Sequence, residues 1–167
     1  MERIQTMIAL VESTINFVRR LSTSLRPAIL DDLGLAAAIE WQIEGFASRT
    51  GCSYTLRLDH ENIDTENNRD TNIFRIFQEA LTNVARHARA DKVEISLHNV
   101  GGQLILSVID NGIGIAQEKL TDNLSLGLIG MHERASTIGG TLEVEAGKDG
   151  GTRITLKVPM TVQVPDN

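Results

Sequence analysis

The sequence contains little of what would assign it to several common protein classes. It has one cysteine, Cys52, in 167 residues, which excludes an intramolecular disulfide and fits a reducing compartment. Aromatic residues make up only 4% of the chain, so its core must consist mainly of Ile, Leu, Val and Ala. No apolar run approaches the roughly 18 residues that a membrane span requires. The first residues, "MERIQTMIALVES", lack the basic and then apolar pattern of a signal peptide.

Positive charge is also scarce. The formal net charge is −6, whereas a nucleic-acid-binding protein carries a basic patch. The hydrophobic content of 41% is sufficient for the core of one compact domain with an additional element. We therefore expect a cytoplasmic protein with no nucleic-acid partner and no membrane contact by this chain.

The N-terminal residues have the period of a helix that pairs with other helices. Mostly apolar side chains recur at alternating steps of four and three, at Ile4, Ile8, Val11, Ile15, Val18, Ser22 and Leu25. Pro27 disfavours helical geometry in the residue before it, so the helix is expected to end near Arg26. A helix packed on its own domain is the alternative. We expect residues 1–30 to form part of a dimeric helical bundle, residues 31–160 a second domain, and residues 161–167 a tail.

The second region contains both helical and strand patterns. A helix is predicted from a cap at Asp31 or Asp32 to Thr50, with Gly51 as its stop, and another from Thr71 to Ala88. A strand at "CSYTLRLD" and a loop at "HENIDTENNRD" separate them. Two hairpins are predicted around Gly101-Gly102 and "GKDGG", with a short helix from Leu128 to Ile138 between them. The pattern predicts an α+β sandwich of one sheet and a helical layer.

Four polar side chains share one face of the helix "FQEALTNVARHARA". At about 100° per residue, Glu79, Asn83, Arg86 and His87 lie together, opposite the apolar residues. A solvated surface is the simple alternative, but Thr and Asn in mid-helix reduce helix stability. A Glu and an Asn four residues apart can hold Mg²⁺ and its waters, and the Arg and His can contact phosphate.

Three glycine-containing segments follow. In "SVIDNGIGI", Asp110 ends an apolar strand, and Gly112 and Gly114 stand where a calcium loop would need oxygen ligands. A plain turn remains possible, but two such glycines favour close approach of the backbone to a flat ligand, with Asp110 accepting from an exocyclic amine. In "SLGLIGMHERA", Gly127 and Gly130 open a helix whose N–H groups suit phosphate. "DGGTRITL" is a hairpin turn that leads into the last strand.

The order and spacing of these four segments are more specific than any one of them. "FQEALTNVARHA", "DNGIG", "SLGLIGM" and "GGT" together resemble the nucleotide-binding domain of gyrase-type topoisomerases, ninety-kilodalton heat-shock chaperones, mismatch-repair ATPases and histidine kinases. "LRPAILDDLGLAAAIEW" and "GLIGMHERA" resemble histidine kinases with nitrate-sensor-type transmitter regions. The resemblance implies a Bergerat-type two-layer sandwich of a mixed, mostly antiparallel sheet and three helices, preceded by the second dimerisation helix.

The resemblance also implies ATP and Mg²⁺ as cofactors and gives roles to individual residues. Asn83 would bind Mg²⁺, Glu79 would bind Mg²⁺ or order the water around it, and both residues would be catalytic. Arg86 and His87 would lie near the phosphates. Asp110 would read the adenine amino group, as part of a nucleotide-binding set that also includes Gly112, Gly114, Ser125, Leu126, Gly127, Leu128, Gly130 and Thr152. Residues 116–126 would form a mobile lid. Ser125 departs from the glycine usual at its position.

The implied reaction transfers the γ-phosphoryl group of ATP to a histidine, yet this chain lacks the acceptor helix of the family. His60, His98 and His132 lie in a loop, a strand and the phosphate-side segment, and residues 1–30 resemble the second dimerisation helix only. The expected partners are a homodimer mate, a histidine-bearing helix and a response regulator. The alternatives are an ATP-operated switch or an anti-sigma-like serine kinase, and a degenerate domain kept for dimerisation.

Overall fold

The computed structural model describes residues 28–59, 67–115, 126–147 and 150–160. Three helices are present in these ranges: α1 (Ala28–Thr50), α2 (Asn67–Asn83) and α3 (Leu126–Thr137). The strands are β1 (Ser53–Leu58), β2 (Lys92–Val100), β3 (Gln103–Asp110), β4 (Thr141–Ala146) and β5 (Thr152–Pro159). Residues 1–27 of the predicted dimerisation helix, most of the lid and the tail lie outside the described residues. Within the described ranges, no helix is long and apolar enough to cross a membrane.

The strands form one mixed sheet in the order β1-β2-β3-β5-β4. β1 runs parallel to β2, and the other neighbours are antiparallel. The β2–β3 hairpin closes at Val100 and Gln103, and both residues of its turn, Gly101 and Gly102, have positive φ. Positive φ at both positions is typical of the two-residue turns whose twist matches that of the strands. The α+β fold class and the mixed sheet are therefore confirmed.

The core lies between the sheet and the helices. Strand residues alternate between the two faces, so that Val93, Ile95 and Leu97 of β2 point inward together. The helices bring a complementary apolar stripe, with residues such as Ile39, Ile43, Phe74 and Phe77 buried completely. The rings of Phe74 and Phe77 pack at a centroid distance of 6.3 Å. This packing fixes α2 across the sheet, above the end of β3.

Helix boundaries differ from those that the sequence predicts. The cap predicted at Asp31 or Asp32 is wrong, because helical geometry extends from Ala28 and is interrupted at Gly34 (φ 79°, ψ −179°). The stop at Gly51 is confirmed, and its N–H donates to the Ala47 carbonyl at 2.8 Å. The short helix begins at Leu126, two residues before its predicted start.

Helix α2 begins earlier and ends differently than predicted. It starts at Asn67 rather than Thr71, and Asp70 in its first turn interacts favourably with the positive end of the helix dipole. Arg69 Nη1 donates to the Pro159 carbonyl at 3.2 Å, which ties this end to β5. After Asn83 the chain continues as a π-helical turn, Val84–Ala88, which ends at Arg89 with φ 52°. The 100° spacing of an α-helix therefore does not hold beyond Asn83.

We expect a side chain at position 151 to destabilise the folded chain for steric reasons. Gly151 has φ 77°, and a Cβ there would overlap the Asp110 carbonyl oxygen. Gly151→Ala should lower the free energy of unfolding by about 3 kcal/mol, because strained φ and steric overlap add. Gly139→Ala is the matched control, since Gly139 has φ 68° with nothing within 4 Å of an added Cβ, and should lose about 1 kcal/mol. Urea denaturation measures both, and equal losses would contradict the steric account.

Candidate functional site

A pocket of about 320 Å³ opens between α2, the sheet and the start of α3. Aliphatic side chains from every neighbouring element form its walls, among them Val84, Val108, Ile113, Leu128, Val144 and Ile154. Four polar side chains also line it: Asn83, His87, Asp110 and Thr152. An apolar slot with a few converging polar groups is the usual form of a small-molecule site.

Asp110 is the buried carboxylate of this pocket. It is the last residue of β3 and is only 7% exposed. Its Oδ1 accepts the backbone N–H of Gly112 at 2.8 Å. An ionised carboxylate has about four acceptor positions, so Asp110 retains acceptor capacity on the pocket side. The arrangement suits a ligand that donates hydrogen bonds at the deep end of an apolar slot.

The loop after Asp110 is held by contacts to the elements on either side. Asn111 Oδ1 accepts from the backbone N–H groups of Asp91 and Lys92 at 3.2 and 3.0 Å, and its Nδ2 donates to Asp91 Oδ1 at 2.7 Å. The N–H of Ile113 donates to the Ala88 carbonyl at 2.8 Å. Asn111 therefore positions the pocket loop without lining the pocket, a role that sequence reasoning missed because "DNG" also reads as an ordinary turn.

Both glycines of the "DNGIG" segment are explained by close backbone contacts. A Cβ on Gly112 would overlap the carbonyl oxygen of Ala88, at the end of the π-helical turn. A Cβ on Gly114 would lie 2.9 Å from the carbonyl oxygen of Gly151. Gly114 lines the pocket, whereas Gly112 lies beside it. The backbone of this loop thus packs against both the π-helical turn and the residue just before β5.

The predicted residues of α2 separate into two groups. Asn83 and His87 line the pocket, while Arg86 is exposed and does not line it. Glu79 lines a neighbouring polar cavity instead, where its carboxylate lies against Gly127. Gly127 has no room for a side chain, because a Cβ would overlap the Glu79 carboxylate.

The phosphate-side segment is only partly described. Leu128 is buried and lines the pocket, whereas Leu126 is 88% exposed and Gly130 packs against Arg134. Ser125 lies outside the described residues. The aliphatic walls Val108, Val144 and Ile154 were not predicted as site residues, because their alternation is indistinguishable from that of core strand positions. Thr152, as predicted, enters the last strand and lines the pocket.

The one cysteine of the chain, Cys52, lies outside the pocket lining. Burial, followed by the charges of Asp91 and Asp110, raises the pKa of the Cys52 thiol, so this thiol stays protonated and unreactive near neutral pH. Among the described residues, no group of three or more His, Cys, Asp or Glu side chains is placed to hold a metal ion. The Asn83 side chain in the pocket offers an oxygen ligand of the kind that Mg²⁺ accepts alongside oxygens of a substrate or of water.

Comparison with known proteins agrees with the fold described above and identifies the family. Residues 68–162 match the family model described as "Histidine kinase-, DNA gyrase B-, and HSP90-like ATPase". The oxygen sensor histidine kinase NreB of Staphylococcus carnosus is 37% identical over 147 residues, which are 88% of this chain and 42% of that protein. The chain thus spans less than half the length of this curated relative.

Solved structures show the same architecture. The blue-light activated histidine kinase of Erythrobacter litoralis EL346 is similar with a TM-score of 0.72 at 21% identity, over 90% of this chain and 51% of that one. Histidine kinase AdeS of Acinetobacter baumannii gives a TM-score of 0.63 at 23% identity, over 92% and 85%. At these identities the likeness concerns the fold. Because the family model matches more than half of its residues, the chain belongs to the family of histidine kinase-, DNA gyrase B- and HSP90-like ATPases.

Proposed function

We propose that this chain is the ATP-binding catalytic part of a sensor histidine kinase, and that it passes the γ-phosphoryl group of ATP to a histidine outside the chain. The observation that carries the proposal is the buried Asp110 carboxylate at the deep end of an apolar slot, in a chain of this ATPase family. The similarity to NreB, a named histidine kinase, supports the kinase over the other members of the family.

The pocket chemistry matches a nucleotide base. Aliphatic walls accept a flat ring, and Asp110 is an acceptor for an exocyclic amine. Thr152 supplies a hydroxyl group to the pocket lining, and Gly114 lines the pocket where the loop packs closely on the backbone of Gly151. We assign Asp110, Gly114 and Thr152 to the base, with Gly112 shaping the loop.

Asn83 and His87 lie on the same pocket wall, on α2 and its π-helical turn. We assign the Asn83 amide oxygen to Mg²⁺, and His87 with the exposed Arg86 to the phosphates. Held by Asn83, Mg²⁺ would supply positive charge that neutralises the negative charge developing in phosphoryl transfer. Glu79, one turn before Asn83, is assigned to ordering water near the metal. The phosphate-side segment, Ser125 to Gly130, would place backbone N–H groups at the start of α3.

The partners follow from the reaction. The phosphoryl acceptor would be a histidine on a separate dimerisation helix, and a response regulator would receive the group afterwards. Residues 1–30, with their heptad period, are proposed as the dimerising helix. The cytoplasm, where ATP is available and thiols stay reduced, is the proposed location. A serine kinase or an ATP-operated switch of the same family is the alternative, but neither requires the N-terminal heptad segment.

Asp110→Asn should weaken ATP binding by about tenfold or more. The Asn side chain can keep its oxygen on the Gly112 N–H, which preserves the loop, but its amide group then presents a donor to the donor of adenine. Isothermal titration calorimetry measures the affinity for ATP and for inosine triphosphate, which has an oxygen in place of the amine. The wild type should prefer ATP, and the variant should lose that preference. Asp59→Asn is the control, since Asp59 pairs with His98 on the surface; unchanged affinity in Asp110→Asn would refute the adenine assignment.

Asn83→Ala should reduce the dependence of ATP binding on Mg²⁺. The wild type should bind ATP more tightly with Mg²⁺ than with EDTA, and the variant should lose most of that difference because a metal ligand is removed. Asn72→Ala on the same helix is the control; its amide donates to Asn68 on the exposed side. A full Mg²⁺ effect in Asn83→Ala would contradict the metal assignment.

Phosphoryl transfer should require a second polypeptide. With γ-³²P-labelled ATP, this chain alone should retain no acid-labile label, and an added histidine-bearing dimerisation helix should acquire it. Phosphohistidine is acid-labile and phosphoserine is acid-stable, so the stability of the label separates the two kinases. Acid-labile label on this chain alone would overturn the predicted lack of self-phosphorylation, and no label on any helix would favour the switch.

A further inference from the structure

The junction of the three helices contains a second cavity, which is as large as the pocket but has polar walls. Its volume is about 340 Å³. One lining side chain comes from α1, four come from α2 and one comes from α3: Gln42, Arg75, Gln78, Glu79, Thr82 and Arg134. The proposed nucleotide chemistry uses only Glu79 of this set, so the other five side chains have no function in it.

The side chains that line this cavity carry a net positive charge, which favours a negatively charged ligand. Two guanidinium groups face one carboxylate, that of Glu79. Burial, and then the positive charge of Arg134, lower the pKa of the half-buried Arg75. Arginine nevertheless remains protonated at any physiological pH. The two like charges are therefore close enough to affect each other, and an anion between them would relieve that repulsion.

The hydrogen-bonding groups of the cavity are mainly donors. Arg134 Nη1 donates to the Gly130 carbonyl at 2.8 Å, which fixes the side chain on α3. A guanidinium has five N–H donors in a planar fork, so Arg134 can also bind an acceptor inside the cavity. Arg75 Nη1 donates to Gln78 Oε1 at 3.1 Å, which occupies the side-chain oxygen of Gln78 and leaves its NH₂ group as a donor.

We propose that this cavity binds a compact oxyanion, a phosphate or a carboxylate, between Arg75 and Arg134. Forked guanidinium groups match both kinds of oxyanion through paired hydrogen bonds. The NH₂ groups of Gln42 and Gln78 complete the donor set, and the carboxylate of Glu79 offsets part of the positive charge. Because the lining comes from all three helices, the bound oxyanion links α1 to the two helices beside the pocket. This inference does not rest on nucleotide binding.

Thermal unfolding of the whole chain tests the site. Sodium phosphate and sodium acetate are titrated separately at constant ionic strength, with sodium chloride as the balancing salt and with or without saturating ADP. We expect a saturable rise in Tm with at least one of the two anions, since a ligand that binds the folded state stabilises it. The rise should persist in ADP, which occupies the separate pocket.

Variants then locate the effect. Arg134→Gln should raise the apparent Kd for the anion by about tenfold, because a charge-assisted pair is lost. Arg134 is exposed, so its replacement leaves the core intact; Arg75→Gln should act in the same direction. Arg153→Gln on the exposed face of β5 is the matched control and should respond like the wild type.

The inference is overturned if neither anion gives a saturable rise, if Arg134→Gln responds like the wild type, or if ADP abolishes the response. A chain that binds phosphate through Arg134 but shows no affinity for ATP would refute the proposed function and leave this site standing. The reverse result would refute the oxyanion site alone.

Discussion

The end of β3 is the constraint on which the pocket depends, and the buried carboxylate of Asp110 is its centre. A carboxylate that is 7% exposed needs hydrogen bonds, and the chain provides one immediately, from Gly112 two residues later. The loop then reaches the π-helical turn after α2, where the Ile113 N–H donates to the Ala88 carbonyl. These two hydrogen bonds hold the loop after β3 beside the pocket.

The rest of the fold holds this junction in place. Asp110 pairs with Val93 across the β2–β3 ladder, and Ile109 pairs with Arg153 of β5. Gly151, just before β5, packs its backbone directly on the Asp110 carbonyl. Three strands thus meet at one point, and α2 closes over them through fully buried residues such as Phe77 and Ala80. The buried core therefore holds the loop after β3 and helix α2 in fixed positions relative to each other.

Elements defined by local chemistry could be predicted from the sequence, and elements defined by tertiary contacts could not. The hairpin at Gly101-Gly102 follows from alternation and turn residues, which are local. The first turn of α2 includes Arg69, which donates to the carbonyl of Pro159, ninety positions away. The walls Val144 and Ile154 pair across β4 and β5, but as sequence they are ordinary core residues. Glu79 and Asn83 share a helical face, yet the neighbouring elements place them in different cavities.

Helix α2 consequently serves two cavities at positions one turn apart. Asn83 contributes to the apolar pocket and Glu79 to the polar cavity, and a rigid helix cannot move one of them without the other. The polar cavity also includes Gln42, which belongs to the part of α1 that follows its interruption at Gly34. Gln42 and Glu79 therefore line one cavity, while Asn83 lines the other. Coupling between the two cavities would require α2 to have two discrete arrangements that ligands in both cavities favour differently.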